Sequence, residues 1–94
     1  MDVEATIWKI HVRVHGKTIE VTAGDGTQRV RWLGHVGIAR WDDENQQGWK
    51  RIGVPTKMQS ETKKELDMGA VIKDTLRNGD TVEVFTSLEP YETR

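Results

Sequence analysis

Three histidines, a run of adjacent acids and a glycine-rich turn are the residues of this chain whose types and spacing could carry chemistry. His11 and His15 share a parity along an alternating stretch, but the four strand residues between them span about 13 Å. One ion held at about 2 Å from each ligand cannot bridge that gap, and His35 lies far along the chain. The three are therefore expected on the surface, the first of them beside Glu20, with no metal site. Asp42-Asp43-Glu44 could suggest a divalent cation or acid–base work, yet no EF-hand spacing follows, and adjacent carboxylates in a loop are ordinarily just solvated. Gly24-Asp25-Gly26-Thr27-Gln28 has the glycines of a phosphate loop but not the Lys-Ser/Thr pair that would hold phosphate and magnesium. Ser60 and Ser87 have no sequence context that would activate a hydroxyl. Cysteine is absent, which excludes disulfides, thiolate metal sites and cysteine nucleophiles. No catalytic residue, metal ligand or cofactor is assigned on these grounds. The expectation is a non-enzymatic binding domain, since an enzyme would need a pocket of perturbed titrating groups that the sequence does not announce.

The whole chain bounds the same conclusion. Its 94 residues suit a single domain, 1–94, with an ordered core over about 6–88 and a polar tail, 89–94, that contains Pro90. Apolar residues make up 35% and charged residues 31%, and the apolar ones cluster at 7–21, 29–41, 49–54 and 66–88, which a disordered chain has no need of. The net charge of −1 argues against nucleic acid as the main partner, because phosphate binding leans on uncompensated cations. That total hides a cancellation. Residues 9–31 and 50–73 each carry a net +3, while 74–94 carries −3. No run approaches the length of a membrane span and no signal-peptide pattern opens the chain, so a monomeric protein of the cytoplasm or nucleus is expected.

The first element that would position these residues is Ile7 to Val14, which alternates, with Trp8, Ile10, Val12 and Val14 on one face and Lys9, His11 and Arg13 on the other. His15-Gly16 reads as a two-residue turn, and Lys17 to Val21 alternates again. That turn pairs Val14 with Lys17, Val12 with Ile19 and Ile10 with Val21, so both apolar sets fall on one face. Val30, Leu33, Gly34, Gly37 and Trp41 then recur at helical spacing, with Asp25 or Thr27 as the expected cap and a stop near Trp41 before the acids. Gly34 and Gly37 are costly inside a helix but let it lie close on a sheet. Beyond a polar loop at 42–48, Trp49 to Val54 reads as a short strand ended by Pro55, and 56–64 as a connection with at most a turn. A Met68-Gly69 turn, a short segment at 71–76, the Asn78-Gly79-Asp80 turn and a last strand, Thr81 to Phe85 with Val82 and Val84 inward, complete the reading. Of the four tryptophans, Trp8 and Trp41 fit the core, whereas Trp32 and Trp49 stand out of phase and could be exposed anchors. An antiparallel ribbon, a helix and further strands make an α+β plan. If the last strand pairs in parallel with the first, the sheet closes around the helix as a β-grasp.

Two stretches carry a resemblance. One is Val14-His15-Gly16-Lys17-Thr18-Ile19-Glu20-Val21, with the Asp25-Gly26-Thr27 helix start and Val30. The other runs through Lys64-Glu65-Leu66-Asp67-Met68-Gly69, Val71-Ile72-Lys73-Asp74 and Asn78-Gly79-Asp80-Thr81-Val82-Glu83-Val84. In order and spacing these resemble the ubiquitin-like family over about two-thirds of the chain; the stretch from Trp41 to Lys63 is longer than the family's form and matches it poorly. The resemblance implies a ubiquitin-like β-grasp: a mixed four- to five-stranded sheet packed on one main helix. The chain closes on Tyr91-Glu92-Thr93-Arg94 where conjugated members of the family have a diglycine. An integral, non-conjugated module is therefore expected, with no conjugation through the C-terminus. The resemblance also implies that partners bind the outer sheet face, with Phe85 at a position that is apolar in the family's recognition patch and Glu83 replacing a neutral or basic residue.

The residues point to the same face independently. By the hairpin register, His11, Arg13, Thr18 and Glu20 point away from the helix, as do Glu83 and Phe85 on the last strand. An outward Phe beside basic residues is the mixed aromatic and cationic ground on which protein partners dock. The expected partner-binding residues are Phe85, Arg13, His11, Glu83, Trp49 and Arg51, and the expected partner is another protein. The alternative is a cytoskeletal (doublecortin-like) or nucleic-acid-binding β-grasp that uses Lys9, Arg13, Lys17, Lys50 and Arg51 as a basic strip.

Overall fold

The computed structural model describes residues 7–88. Strand β1 (Lys9–Val14) and strand β2 (Lys17–Thr22) form the antiparallel hairpin in the expected register: Val14 opposite Lys17, Val12 opposite Ile19, Ile10 opposite Val21. His15 and Gly16 both take positive φ, 46° and 83°, as a primed two-residue turn requires. Helix α1 (Val30–Trp41) follows and ends where the acidic run begins. Strand β4 (Thr81–Thr86) returns to the centre, parallel to β1, with Val82 beside Val12 and Val84 beside Val14. With strand β3 (Pro55–Ser60) on the far side of β4, the four-stranded mixed sheet has the order β2-β1-β4-β3, and α1 packs on one face of it, against β1, β2 and β3. The described residues therefore form an α+β fold, a mixed sheet of four strands packed against a helix.

The core fills the space between sheet and helix. Ile10, Val12, Val14, Val21, Met58, Val82 and Val84 from the strands meet Val30, Leu33 and Ile38 from α1. Glycine lets these layers approach. A β-carbon at Gly37 would lie 2.6 Å from Val12 Cγ1, and one at Gly34 would lie 2.9 Å from Pro55 Cβ. Both are contacts that real side chains do not tolerate without movement, so the helix interior accepts two poor helix formers to gain proximity.

The stretch from 49 to 60 departs from expectation. Trp49–Ile52 is a single helical turn, α2, and not a strand. Gly53, at φ 85°, redirects the chain, and strand β3 (Pro55–Ser60) occupies residues read as a connection. Pro55 opens the strand, where its missing N–H removes no ladder bond. Pro55 faces Thr86 while Lys57 faces Phe85, so Thr56 is an extra residue: a β-bulge. The bulge breaks the period-2 pattern and leaves Pro55 and Met58 as the buried pair, three residues apart.

The cap of α1 also differs. The Asp25 carboxylate accepts the Thr27 hydroxyl at 2.7 Å and its N–H at 3.3 Å, closing a local turn ahead of the helix. The helix proper starts after Arg29, whose side chain makes no capping bond. Its first N–H groups are met instead by backbone carbonyls of a distant loop: Val30 N–H donates to Ala70 O at 2.8 Å and Arg31 N–H to Met68 O at 2.9 Å. The orphan donors of a helix start need a partner, and tertiary structure supplies it here. The same loop leads into a second helical turn, α3 (Ile72–Thr75), which buries Ile72.

Candidate partner-binding face

Because successive strand residues point to opposite sides, the pairings that bury the valines turn a second set outward. Arg13 stands between Thr18 on β2 and Glu83 on β4, and Glu83 in turn faces Gln59 on β3. His11 stands between Glu20 and Thr81. Lys57 faces Phe85. The structure thus brings Phe85, Arg13, His11 and Glu83 onto one surface, on the side away from α1. Arg13 and Phe85 are exposed, and His11 and Glu83 are half-buried.

Phe85 is 38% exposed, although it lies on one of the two central strands. The Lys57 ammonium sits 4.8 Å from its ring centroid, a cation–π contact across the β3–β4 pair. Among the described residues the ion pairs are Lys9–Glu20, at 3.8 Å, and Lys17–Asp43, at 2.9 Å. Neither involves Arg13, Glu83 or Lys57. Sequence reasoning missed Lys57 because it lay in a stretch read as a connection. The signal that could have found it is the alternation Lys57-Met58-Gln59, a single buried residue between two outward ones.

Trp49 and Arg51 do not join this face. Both lie on α2, at the C-terminal end of α1, where Gly48 N–H donates to Ala39 O at 3.2 Å. Trp49 is 48% exposed. Arg51 turns to Trp41, its guanidinium carbon 5.5 Å from that ring. The Lys17 ammonium approaches the same ring at 5.9 Å and the His15 ring meets it edge-on at 6.4 Å. Lys17 also donates to the Trp41 carbonyl and to Asp43, each at 2.9 Å. A cation on the final carbonyl of a helix complements its negative end, so Lys17 fastens the hairpin tip to α1. Trp8, Trp32 and Trp41 are all half-buried against the edge of the core, so Trp8 and Trp41 cover the core and do not fill it.

Two carboxyl groups lie below their ordinary range. At Asp25 the Thr27 hydroxyl bond is the main cause. At Asp42 burial pushes the value up, but N–H bonds from the following turn, led by Asn45 and Glu44, outweigh it. Both are turn-forming acids. Among the described residues no group of three or more His, Asp or Glu side chains converges as a metal would require, and no helix is long and apolar enough to cross a membrane.

The fold and this surface define a small α+β domain with a mixed aromatic and basic sheet face. No protein-family model matches the chain, and no curated protein matches it.

Proposed function

We propose that this domain is a non-enzymatic, ubiquitin-like interaction module that binds another protein through the outer face of its sheet. The strand order β2-β1-β4-β3, the parallel β1–β4 pair and the helix across one face are compatible with a β-grasp, which supports the resemblance carried by the sequence. The observation that carries the functional reading is Phe85: an outward aromatic on a central strand, flanked in the sheet by Lys57 and near Arg13. Desolvating such a ring is the kind of contact that dominates protein interfaces, and Arg is enriched beside it.

The basic-strip alternative draws less support. Lys9 is paired with Glu20, Lys17 with Asp43, and Arg51 rests on Trp41, so three of its five cations are already engaged within the domain. The test is a pull-down from cell lysate that compares the native chain with Phe85→Ala and Arg13→Glu. Specific partners lost in both variants support the outer-face reading. Unchanged partners in both, or none at all, overturn it. Steep loss of binding to nucleic acid or microtubules with rising salt would favour the strip instead.

A further inference from the structure

The placement of Lys57 constrains what can dock on Phe85. The ring is open to a partner, yet one of its faces is occupied by an ammonium group at 4.8 Å. Lys57 is half-buried and has no carboxylate partner among the described residues. Glu83, the one acid on the neighbouring outward positions of β4, stands opposite Arg13 and Gln59, in the row beyond Phe85. At the other end of β4, the His15 ring bonds the Thr86 hydroxyl at 2.7 Å. The charge directly beside the ring is therefore the Lys57 ammonium, while Arg13, on the diagonal, stands opposite Glu83 in the next row.

A purely apolar partner surface closing over Phe85 would strip water from the Lys57 ammonium and return no hydrogen bond or counter-charge beyond the cation–π contact it already makes, which is an unfavourable way to bury a charge. An apolar side chain accompanied by a carboxylate avoids that penalty, because the acid meets Lys57 while the apolar group takes the open ring. We infer that the partner of this face is a protein segment that presents an aliphatic or aromatic anchor with an Asp or Glu beside it. This inference rests on the outer-face reading and adds to it the chemistry of the partner.

The test uses random twelve-residue peptides displayed on phage, panned against the full chain, with individual winners then measured as free peptides. The expected winners carry Asp or Glu within a few residues of Leu, Ile, Phe or Trp. Their affinity should fall about tenfold in Phe85→Ala and in Lys57→Gln, and much less in Lys57→Arg. Replacing the peptide's acid by its amide should cost native protein about as much, and cost Lys57→Gln almost nothing. Both positions are on the surface, so an unchanged thermal unfolding midpoint confirms that the variants fold. Winners without acids, no winners, or affinity lost in Phe85→Ala but unchanged in Lys57→Gln overturn the inference and leave the outer-face reading standing. Affinity unchanged in Phe85→Ala overturns both.

Discussion

On the side of the sheet that α1 covers, Val12, Val14, Val82 and Val84 are buried, and Gly37 lets the helix approach until nothing larger than hydrogen fits beside Val12. One residue along each strand, Arg13, Glu83 and Phe85 face outward, on the side away from α1. The same backbone pairings hold both sets, so register fixes the two faces together and side-chain chemistry separates their roles. Inward positions should govern stability, and outward positions should govern binding while leaving stability nearly untouched. That separation is open to attack from both sides.

The largest expected effect is at Leu33, buried on α1 within the core. Leu33→Ala removes three carbons and leaves a cavity that surrounding side chains fill only in part. We expect a loss of about 3 kcal/mol, read from urea or guanidinium unfolding. A loss below about 1 kcal/mol would mean that the helix–sheet layer is loosely packed and the contrast between faces overstated. Gly37→Ala comes next. The new methyl would press on Val12 Cγ1 at 2.6 Å and on Val14 Cγ2 at 3.3 Å, both on strand β1. Overpacking of this kind costs about 1–3 kcal/mol, and improved helix propensity returns about 1 kcal/mol. A net destabilisation of about 1–2 kcal/mol should follow; a gain in stability would show that the close approach is not needed.

These two positions also show how much of the fold is legible in the sequence. The hairpin is readable to the residue because Val14, Ile19 and Val21 leave only one register in which both strands bury their apolar sets. Gly37 is readable as a close contact because nothing else justifies a second glycine inside α1. Strand β3 is not readable. Its bulge at Thr56 destroys alternation, and only around Met58, between Lys57 and Gln59, does a buried residue stand between two outward ones. The helix cap fails for a different reason: the Ala70 and Met68 carbonyls that meet α1 are some forty positions downstream of it, and no local pattern reports a long-range backbone bond. The candidate site inherits both outcomes. Phe85, Arg13, His11 and Glu83 lie on strands with clean alternation and land together, whereas Trp49 and Arg51 lie in the misread stretch and fall elsewhere.

Lys17 tests the boundary between the faces, since it starts β2 yet serves the helix. Lys17→Met keeps the stem and removes the bonds to the Trp41 carbonyl and Asp43. The expected cost is about 1 kcal/mol, and the difference between the two proteins should narrow in high salt, where the Asp43 component is screened. An unchanged stability would assign the fastening of the hairpin tip to Trp41 packing alone.

The smallest expected effect on stability is at Phe85, and it is the one that decides whether the outer face is set apart from the core. Phe85→Ala removes a ring that is 38% exposed and that holds a cation–π contact with Lys57. Exposed contacts of that type contribute about 0.5–1 kcal/mol, and some strand propensity goes with the ring. Since Val84 and Val82 stay buried on the other side of β4, the strand keeps the contacts that hold it between β1 and β3. Unfolding should therefore shift by less than about 1 kcal/mol, against the roughly threefold larger loss at Leu33. If Phe85→Ala instead destabilises as strongly as Leu33→Ala, the ring is structural and its outward placement reflects packing under other parts of the chain. If stability holds and binding is lost, then one strand carries two independent functions on its alternate residues, and the period of the strand is what keeps them apart.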